Sequence, residues 1–418
     1  MTPDPKSGTT DQTMIDDSIR QHPSDAFIEA VRARFPTEHE VDTVLTRKMR
    51  RRNGPSFQAV ALNTLVDGTE RLITNQVGYP VRIADARWLS GGASKLQMLF
   101  NLQWRGENAD GQAQVVTPMV LRMEPAASVT ESSRRREFEV IRAVEGTVPV
   151  PHAYWMDPDA QFLPYPAMVY GFATGTAKPS HDAGKVTGLG QNFGPELRAK
   201  LAPQFIDYLA RIHNLPIVAP PVLASFDRPE VGSNASVIRQ VNAARRIWEE
   251  DRIEEEPVMA VVYKWLIRNA PPIDHISIVH ADYRSGNFLF DEAKGEITAW
   301  LDWEGAVLGD RHQDLTYAAL PIFQHYAEDG ETILVSGMMP EAELYAAYEK
   351  ASGLPVDPAR IRYFGVFNRY LVSVLLLAAS TRAARGASTH QDVLLNHVAG
   401  MGYLALSDLL GFFRSATA

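Results

Sequence analysis

The stretch "SIVHADYRSGNFLFDEAKGEITAWLDWEG", residues 277–305, places carboxylates at the ends of segments that otherwise read as buried β-strands. Charge near a core is costly unless a partner compensates it, so a metal ion or a reacting group is expected there. "NFLFD" and "ITAWLDW" are short apolar runs joined by a turn around Lys294-Gly295, where glycine suits the positive φ of a tight hairpin. A turn centred on that pair sets Asn287 opposite Asp302 with Cβ atoms roughly 5 Å apart, so both side-chain oxygens reach one cation. A three- or five-residue loop would shift this register. Carboxylate and amide oxygens without cysteine or histidine suit a hard ion such as Mg²⁺. Asp282, five residues before Asn287, falls near that ion as a base rather than a ligand. Mg²⁺ usually shares its coordination with substrate phosphates, which points to phosphoryl transfer. Asp291 and Glu292 fit a solvated hairpin, whereas Asp302 is held among Trp300, Leu301 and Trp303.

The chain has 418 residues, 45% hydrophobic and 22% charged, a length that suits two lobes rather than one core. A net charge of −9 argues against nucleic acid as the main partner, because phosphate neutralisation needs a basic face. There are no cysteines, which excludes disulfides, zinc ribbons and thiol nucleophiles. The N-terminal residues show no apolar signal region, so a cytoplasmic location is expected. The apolar run Tyr370–Ser380 is too short to span a bilayer and reads as a buried helix, so no membrane partner is expected.

Four regions follow from the patterning. Residues 1–24 read as a disordered polar tail. Residues 25–78 read as a helical extension, which either packs on the neighbouring lobe or supports a homodimer. Residues 79–172 carry strand patterns in "VRIADARWL", "KLQMLFNLQW" and "QVVTPMVLRM", with one helix, "SSRRREFEVIRAV". Residues 173–418 are mostly helical, with helices expected over 195–214, 234–251, 258–268, 310–328, 340–351 and 358–386. The opening motif is a β-rich island among them. The basic run Arg47, Lys48, Arg50, Arg51, Arg52 reads as cations at a helix C-terminus. The acidic run from Glu249 to Glu256 reads as a solvated face or, alternatively, as a cleft lining that attracts a polycation.

His280-x-Asp282-x-x-x-x-Asn287, followed after the hairpin by Asp302, resembles the catalytic and metal-binding loops of protein-kinase-like phosphotransferases. "VHADYRSGNFLF…AWLDWEGAVLGDRHQDL" is similar in particular to the aminoglycoside phosphotransferase and choline kinase group, and closest to the branch associated with acyl-CoA dehydrogenases. The resemblance covers roughly residues 80–410 and implies an α+β, bilobal kinase-like fold with a small mostly-β lobe and a large mostly-α lobe. It implies ATP (with GTP as an alternative) and Mg²⁺ as cofactors, and a small molecule bearing a hydroxyl as substrate. In that family Asp282 would orient or accept the hydroxyl proton, His280 would brace the loop, Asp314 would support it, and Asn287 and Asp302 would hold the metal. Arg122 stands where kinases usually carry a phosphate-binding lysine, with Glu137 as its partner. Gly91, Gly92 and Ser94 in "SGGAS" would cover the phosphates, and Tyr170 lies in the hinge-like "AMVYGFATG". Ala281 replaces the glycine usual in the family, a change expected to be tolerated. The implied reaction is transfer of the γ-phosphate to a small-molecule hydroxyl, such as that of a hydroxyacyl thioester. The alternatives are a true aminoglycoside kinase and a pseudokinase scaffold, the latter with the arginine at position 122 as its best support.

Overall fold

The computed structural model describes residues 17–54, 60–89, 95–106, 114–125, 128, 130–182, 190–217, 222–385 and 399–418. Three helices come first: α1 (Asp25–Arg34), α2 (His39–Arg51) and α3 (Leu62–Val77). Ser24 caps α1 by accepting the Phe27 N–H, and α3 ends on Gly78 in the left-handed conformation. Residues 17–21 are helical too, so the polar segment expected to be disordered over 1–24 is ordered from Asp17 onward. Its Arg20 is buried and donates to the Glu249 carbonyl at 2.7 Å.

Next comes an antiparallel sheet of β1 (Arg82–Trp88), β2 (Leu96–Trp104), β3 (Val115–Met123), β4 (Ala153–Asp157) and β5 (Ala167–Gly171), in the order β1-β2-β3-β5-β4. Along β2, Leu96, Met98, Phe100, Leu102 and Trp104 recur with period two, and all are buried. They form one core with Leu65, Leu72 and Ile73 of α3, so the last helix of the extension covers this face of the sheet. Between β3 and β4 runs α4 (Arg134–Val144), capped by the Ser133 hydroxyl.

The helical lobe contains α5 (Gly194–Asn214), α6 (Ala235–Asp251) and α7 (Pro257–Arg268), then a group of short strands: β6 (Ser277–Val279), β7 (Phe288–Asp291), β8 (Glu296–Trp300) and β9 (Val307–Gly309). α5 supplies Phe205, Leu209 and Ile212 to a core shared with Tyr283, Phe288 and Trp300, which seats the hairpin on a helix. α8 (His312–Ala318) follows, then α9 (Glu341–Ser352) and α10 (Pro358–Val374). The helix expected over 310–328 ends at Ala318. Pro321 cannot donate to a continuing helix and disfavours helical backbone before it, and a short ribbon of His325–Tyr326 with Ile333–Leu334 takes over. α10 runs on through a π-helical segment, Leu375–Ser380, into α11 (Thr381–Arg385); α12 (Gly402–Thr417) packs along it. The stretch from Pro358 to Ala384 is long and apolar enough to cross a membrane, yet 67% of its apolar window is buried inside the protein.

α2 docks on α6 through buried ions. Lys48 Nζ lies 2.6 Å from Asp251 Oδ2 and 3.6 Å from Glu250 Oε2; Arg52 also pairs with Asp251, and Arg246 with Asp42. Only 1% of the Glu250 and Asp251 side chains is exposed. The basic run and the acidic run, read separately from sequence as dipole-matching cations and a solvated or substrate-facing patch, are therefore partly one another's partners. Burial enforces the match, because an unpaired charge there is strongly destabilising. Glu254 and Glu255, in the link between α6 and α7, do face solvent.

Candidate active site

β6 pairs with β9 and delivers His280, Ala281 and Asp282 to its C-terminal end. Asp314, in the first turn of α8, fixes this loop by accepting the backbone N–H groups of His280 at 2.8 Å and Ala281 at 2.7 Å. The His280 ring is fully buried against Trp303, with its Nε2 3.0 Å from the Leu301 carbonyl. Ala281 has φ of +64°, a left-handed conformation that glycine adopts without strain. The bend it makes turns Asp282 out of the strand.

Two side chains hold the Asp282 carboxylate: Arg284 Nε donates to Oδ1 at 2.8 Å, and Asn287 Nδ2 donates to Oδ2 at 2.6 Å. Burial, reinforced by the like charge of Asp302 and opposed by Arg284, keeps this carboxyl above the ordinary aspartate range. Such a group is a better proton acceptor than a free aspartate.

The β7–β8 hairpin has a different register from the one expected. Asp291 pairs with Glu296 and Phe290 with Ile297, but Leu289 pairs with Ala299 and Phe288 with Trp300. The pair Asp291–Glu296 centres the turn on Ala293-Lys294, one residue earlier than expected, and the bulge at Thr298, whose hydroxyl donates to the Thr174 carbonyl, recovers only half of the resulting shift. Asn287 therefore faces Leu301, whose N–H it accepts at 2.8 Å, rather than Asp302. Asp302 instead leaves the strand in a left-handed conformation, φ +62°, which turns its side chain toward Arg122.

Arg122 Nη2 lies 2.5 Å from Asp302 Oδ1 and 3.2 Å from Glu304 Oε2, while its Nε lies 3.2 Å from Glu137 Oε1 on α4. Sequence reasoning missed the hub of this cluster, Glu304. Its carboxylate also contacts Lys95 at 3.1 Å and Arg134 at 3.2 Å, and these cations hold it far below the usual glutamate range despite burial. Lys95 does not stand in for the missing kinase lysine, because its fully buried ammonium is used up by Glu124, Glu304, Ser128 and the Thr130 carbonyl. A signal for Glu304 was present: an acid two residues after a motif aspartate, next to a tryptophan. Tyr170 lies beside the cluster on β5, where packing pushes its phenol up to about 12. Gly91, Gly92 and Ser94 lie outside the described residues.

The donor set available to a metal ion consists of the Asn287 amide oxygen and the Asp302 carboxylate. Asn287 spends its Nδ2 on Asp282, and the partner of Asp302 is already a cation. Among the described residues no group of three or more acidic, histidine or cysteine side chains could hold a metal alone. A two-oxygen site of this kind suits Mg²⁺, which completes its shell with phosphates and water.

A five-stranded sheet above a helical lobe, with the loop His280–Asn287 and Asp302 between them, defines a protein-kinase-like fold. A profile of the phosphotransferase enzyme family matches residues 102–364, and the chain belongs to that family. In sequence it is 25% identical over 284 residues to acyl-CoA dehydrogenase family member 10 of Mus musculus, covering 65% of this chain and 25% of that protein. It is 23% identical over 291 residues to acyl-CoA dehydrogenase family member 11 of Rattus norvegicus, covering 66% of this chain and 35% of that protein. The chain thus spans only about a quarter to a third of the length of these relatives. In structure it is similar to a Ralstonia eutropha protein assigned to the aminoglycoside phosphotransferases, with a TM-score of 0.57, 19% identity, and 83% of this chain and 98% of that chain covered.

Proposed function

We propose that the protein is an ATP-dependent O-phosphotransferase acting on a hydroxyl of a small molecule. One observation carries this reading: Asp282, a half-buried and weakened acid, is tied at 2.6 Å to Asn287, on the strand that leads by hairpin to Asp302. In the reaction the acceptor oxygen bonds to the γ-phosphorus while the bond from that phosphorus to the bridging oxygen breaks. ADP leaves with the electron pair, and the hydroxyl proton passes to the Asp282 carboxylate. Asn287 and Asp302 would hold Mg²⁺, whose charge offsets that of the phosphates. Arg122 would hold phosphate oxygens with the fork geometry of a guanidinium, and GTP could replace ATP in the same role.

For the acceptor, the likeness to proteins named acyl-CoA dehydrogenases supports a hydroxyl on an acyl group. A polycationic aminoglycoside has less support, because Glu250 and Asp251 are occupied by Lys48 and Arg52. A nucleotide-binding scaffold without activity is the second reading, and the contact between Arg122 and Asp302 is what favours it. Mg²⁺-dependent ATP turnover by the wild type and by Asp282→Asn separates the two. The kinase reading expects turnover that the variant loses; equal rates in both proteins would leave the scaffold.

A further inference from the structure

Asp282 and Asp302 open onto a cavity of about 230 Å³. Beyond the two aspartates much of its wall is apolar, with Val41 and Val44 of α2, Ala243 and Ile247 of α6, and Phe367 and Leu371 of α10, while Glu38, Glu131, Glu304, Arg136 and Arg239 also line it. Leu375, at the start of the π-helical segment, also lines it, and π-bulges in helices are frequent at functional sites. Resting on the phosphotransferase reading above, we propose that this chamber is the acceptor site, that it takes the aliphatic chain of a hydroxylated substrate, and that α2 of the N-terminal extension is its outer wall.

Size and polarity both bear on the substrate. An engineered cavity of about 150 Å³ holds benzene, so this one has room for roughly eight to ten carbon atoms. A polycation entering it would exchange water for valine, isoleucine, phenylalanine and leucine. Of the other acids on its wall, Glu38 is paired to Arg136 at 3.0 Å and Glu304 to Lys95, Arg122 and Arg134, and burial holds the Glu131 carboxyl above the ordinary glutamate range. The chamber also contains two buried glutamines. Gln240 is 8% exposed and Gln313 3% exposed; neither amide atom of Gln240, nor the Gln313 amide oxygen, has a hydrogen-bond partner among the described residues. An unpaired buried amide destabilises the free protein, and a ligand oxygen that accepts from Gln240 relieves it. The acceptor therefore carries a polar oxygen function on its chain besides the hydroxyl presented to Asp282.

The wall contributed by α2 is fixed by the ion pairs of Lys48 and Arg52 with Asp251 and of Arg246 with Asp42. The extension thus completes the pocket from a segment more than 200 residues away from the catalytic loop.

The test uses the full chain with hydroxyoctanoate, hydroxybutyrate and kanamycin as probe acceptors. Thermal shifts are read with Mg-ATP and with each acceptor alone, and KM is read for each acceptor. Hydroxyoctanoate is expected to stabilise the wild type and kanamycin is not. Val41→Trp, which fills the chamber from a partly exposed position, should abolish that shift, raise KM for hydroxyoctanoate about tenfold and move preference toward hydroxybutyrate, with the Mg-ATP shift retained. Gln240→Leu should raise the melting temperature of the free protein while weakening hydroxyoctanoate. Survival of the hydroxyoctanoate shift in Val41→Trp overturns the proposal, as does a Gln240→Leu protein that melts lower with its acceptor KM unchanged. Kanamycin turnover with inert hydroxyalkanoates overturns it too. Loss of the Mg-ATP shift in the wild type strikes instead at the phosphotransferase reading, and the acceptor assignment falls with it.

Discussion

Arg122 and Asp302, 180 residues apart in the chain, meet at 2.5 Å between the sheet and the catalytic hairpin. The same guanidinium reaches Glu137 and Glu304, so one side chain ties β3, α4 and the segment after β8 together. Removing it takes the cation from Asp302 and leaves the buried Glu137 and Glu304 with their remaining partners, Arg134 and Lys95. Arg122→Ala is expected to lose about 1–3 kcal/mol of stability. Arg122→Lys, which keeps the charge but loses the fork, should fold with a smaller loss and bind nucleotide less well. Urea melts and the KM for ATP check both.

Asp282→Asn separates function from stability. The folded-state pKa of Asp282 is raised, so its ionised form is penalised in the native protein. That penalty is present in full above the raised pKa and fades as pH falls through it toward the unfolded value. At neutral pH the amide variant should therefore melt no lower than the wild type, while kcat falls by roughly 10²–10⁴. The acid limb of the wild-type rate profile should lie above the ordinary aspartate range, because protonation removes the base. A limb at or below that range would contradict the assignment.

Ala281→Gly should stabilise the protein by up to about 1 kcal/mol. At φ of +64° an alanine carries a left-handed strain of roughly 1–2 kcal/mol, only partly offset by the extra unfolded-state freedom of glycine. Its replacement of the usual glycine is thus accommodated with strain, held in place by the Asp314 bonds. Chemical denaturation of the two proteins measures the difference.

The contact between α2 and α6 should fail in acid. Lys48, followed by Arg52, holds the buried Asp251 below the ordinary aspartate range. Its stabilising contribution is present above the unfolded pKa and is lost as pH falls through the lower folded value. Protease cleavage between α1 and α3 should accordingly rise below about pH 4. Lys48→Met should raise the same cleavage at neutral pH, whereas Arg50→Met, at an exposed side chain, should not.

The β2 and β3 strands were legible from their alternating pattern, and the grouping of His280, Asp282 and Asn287 from the resemblance their spacing carries. The partner of Asp302 was not, because the turn falls one residue before Lys294-Gly295 and a bulge at Thr298 corrects only part of the shift, and neither is marked in the local sequence. Nor was the role of Glu249 to Asp251, which depends on cations about 200 positions earlier. The partners of Glu304 were hidden for a related reason: it gathers Lys95, Arg122 and Arg134 from three separate segments, and no window of sequence contains them together.

The ionic clasp on α2 has an evolutionary corollary. A wall carried by an N-terminal segment can change the residues it turns inward, while its clasp on α6 is kept, without altering a single atom that handles phosphate. Diversification of such proteins toward new alcohols is therefore easiest at the front of the chain, where selectivity drifts while the chemistry stays put.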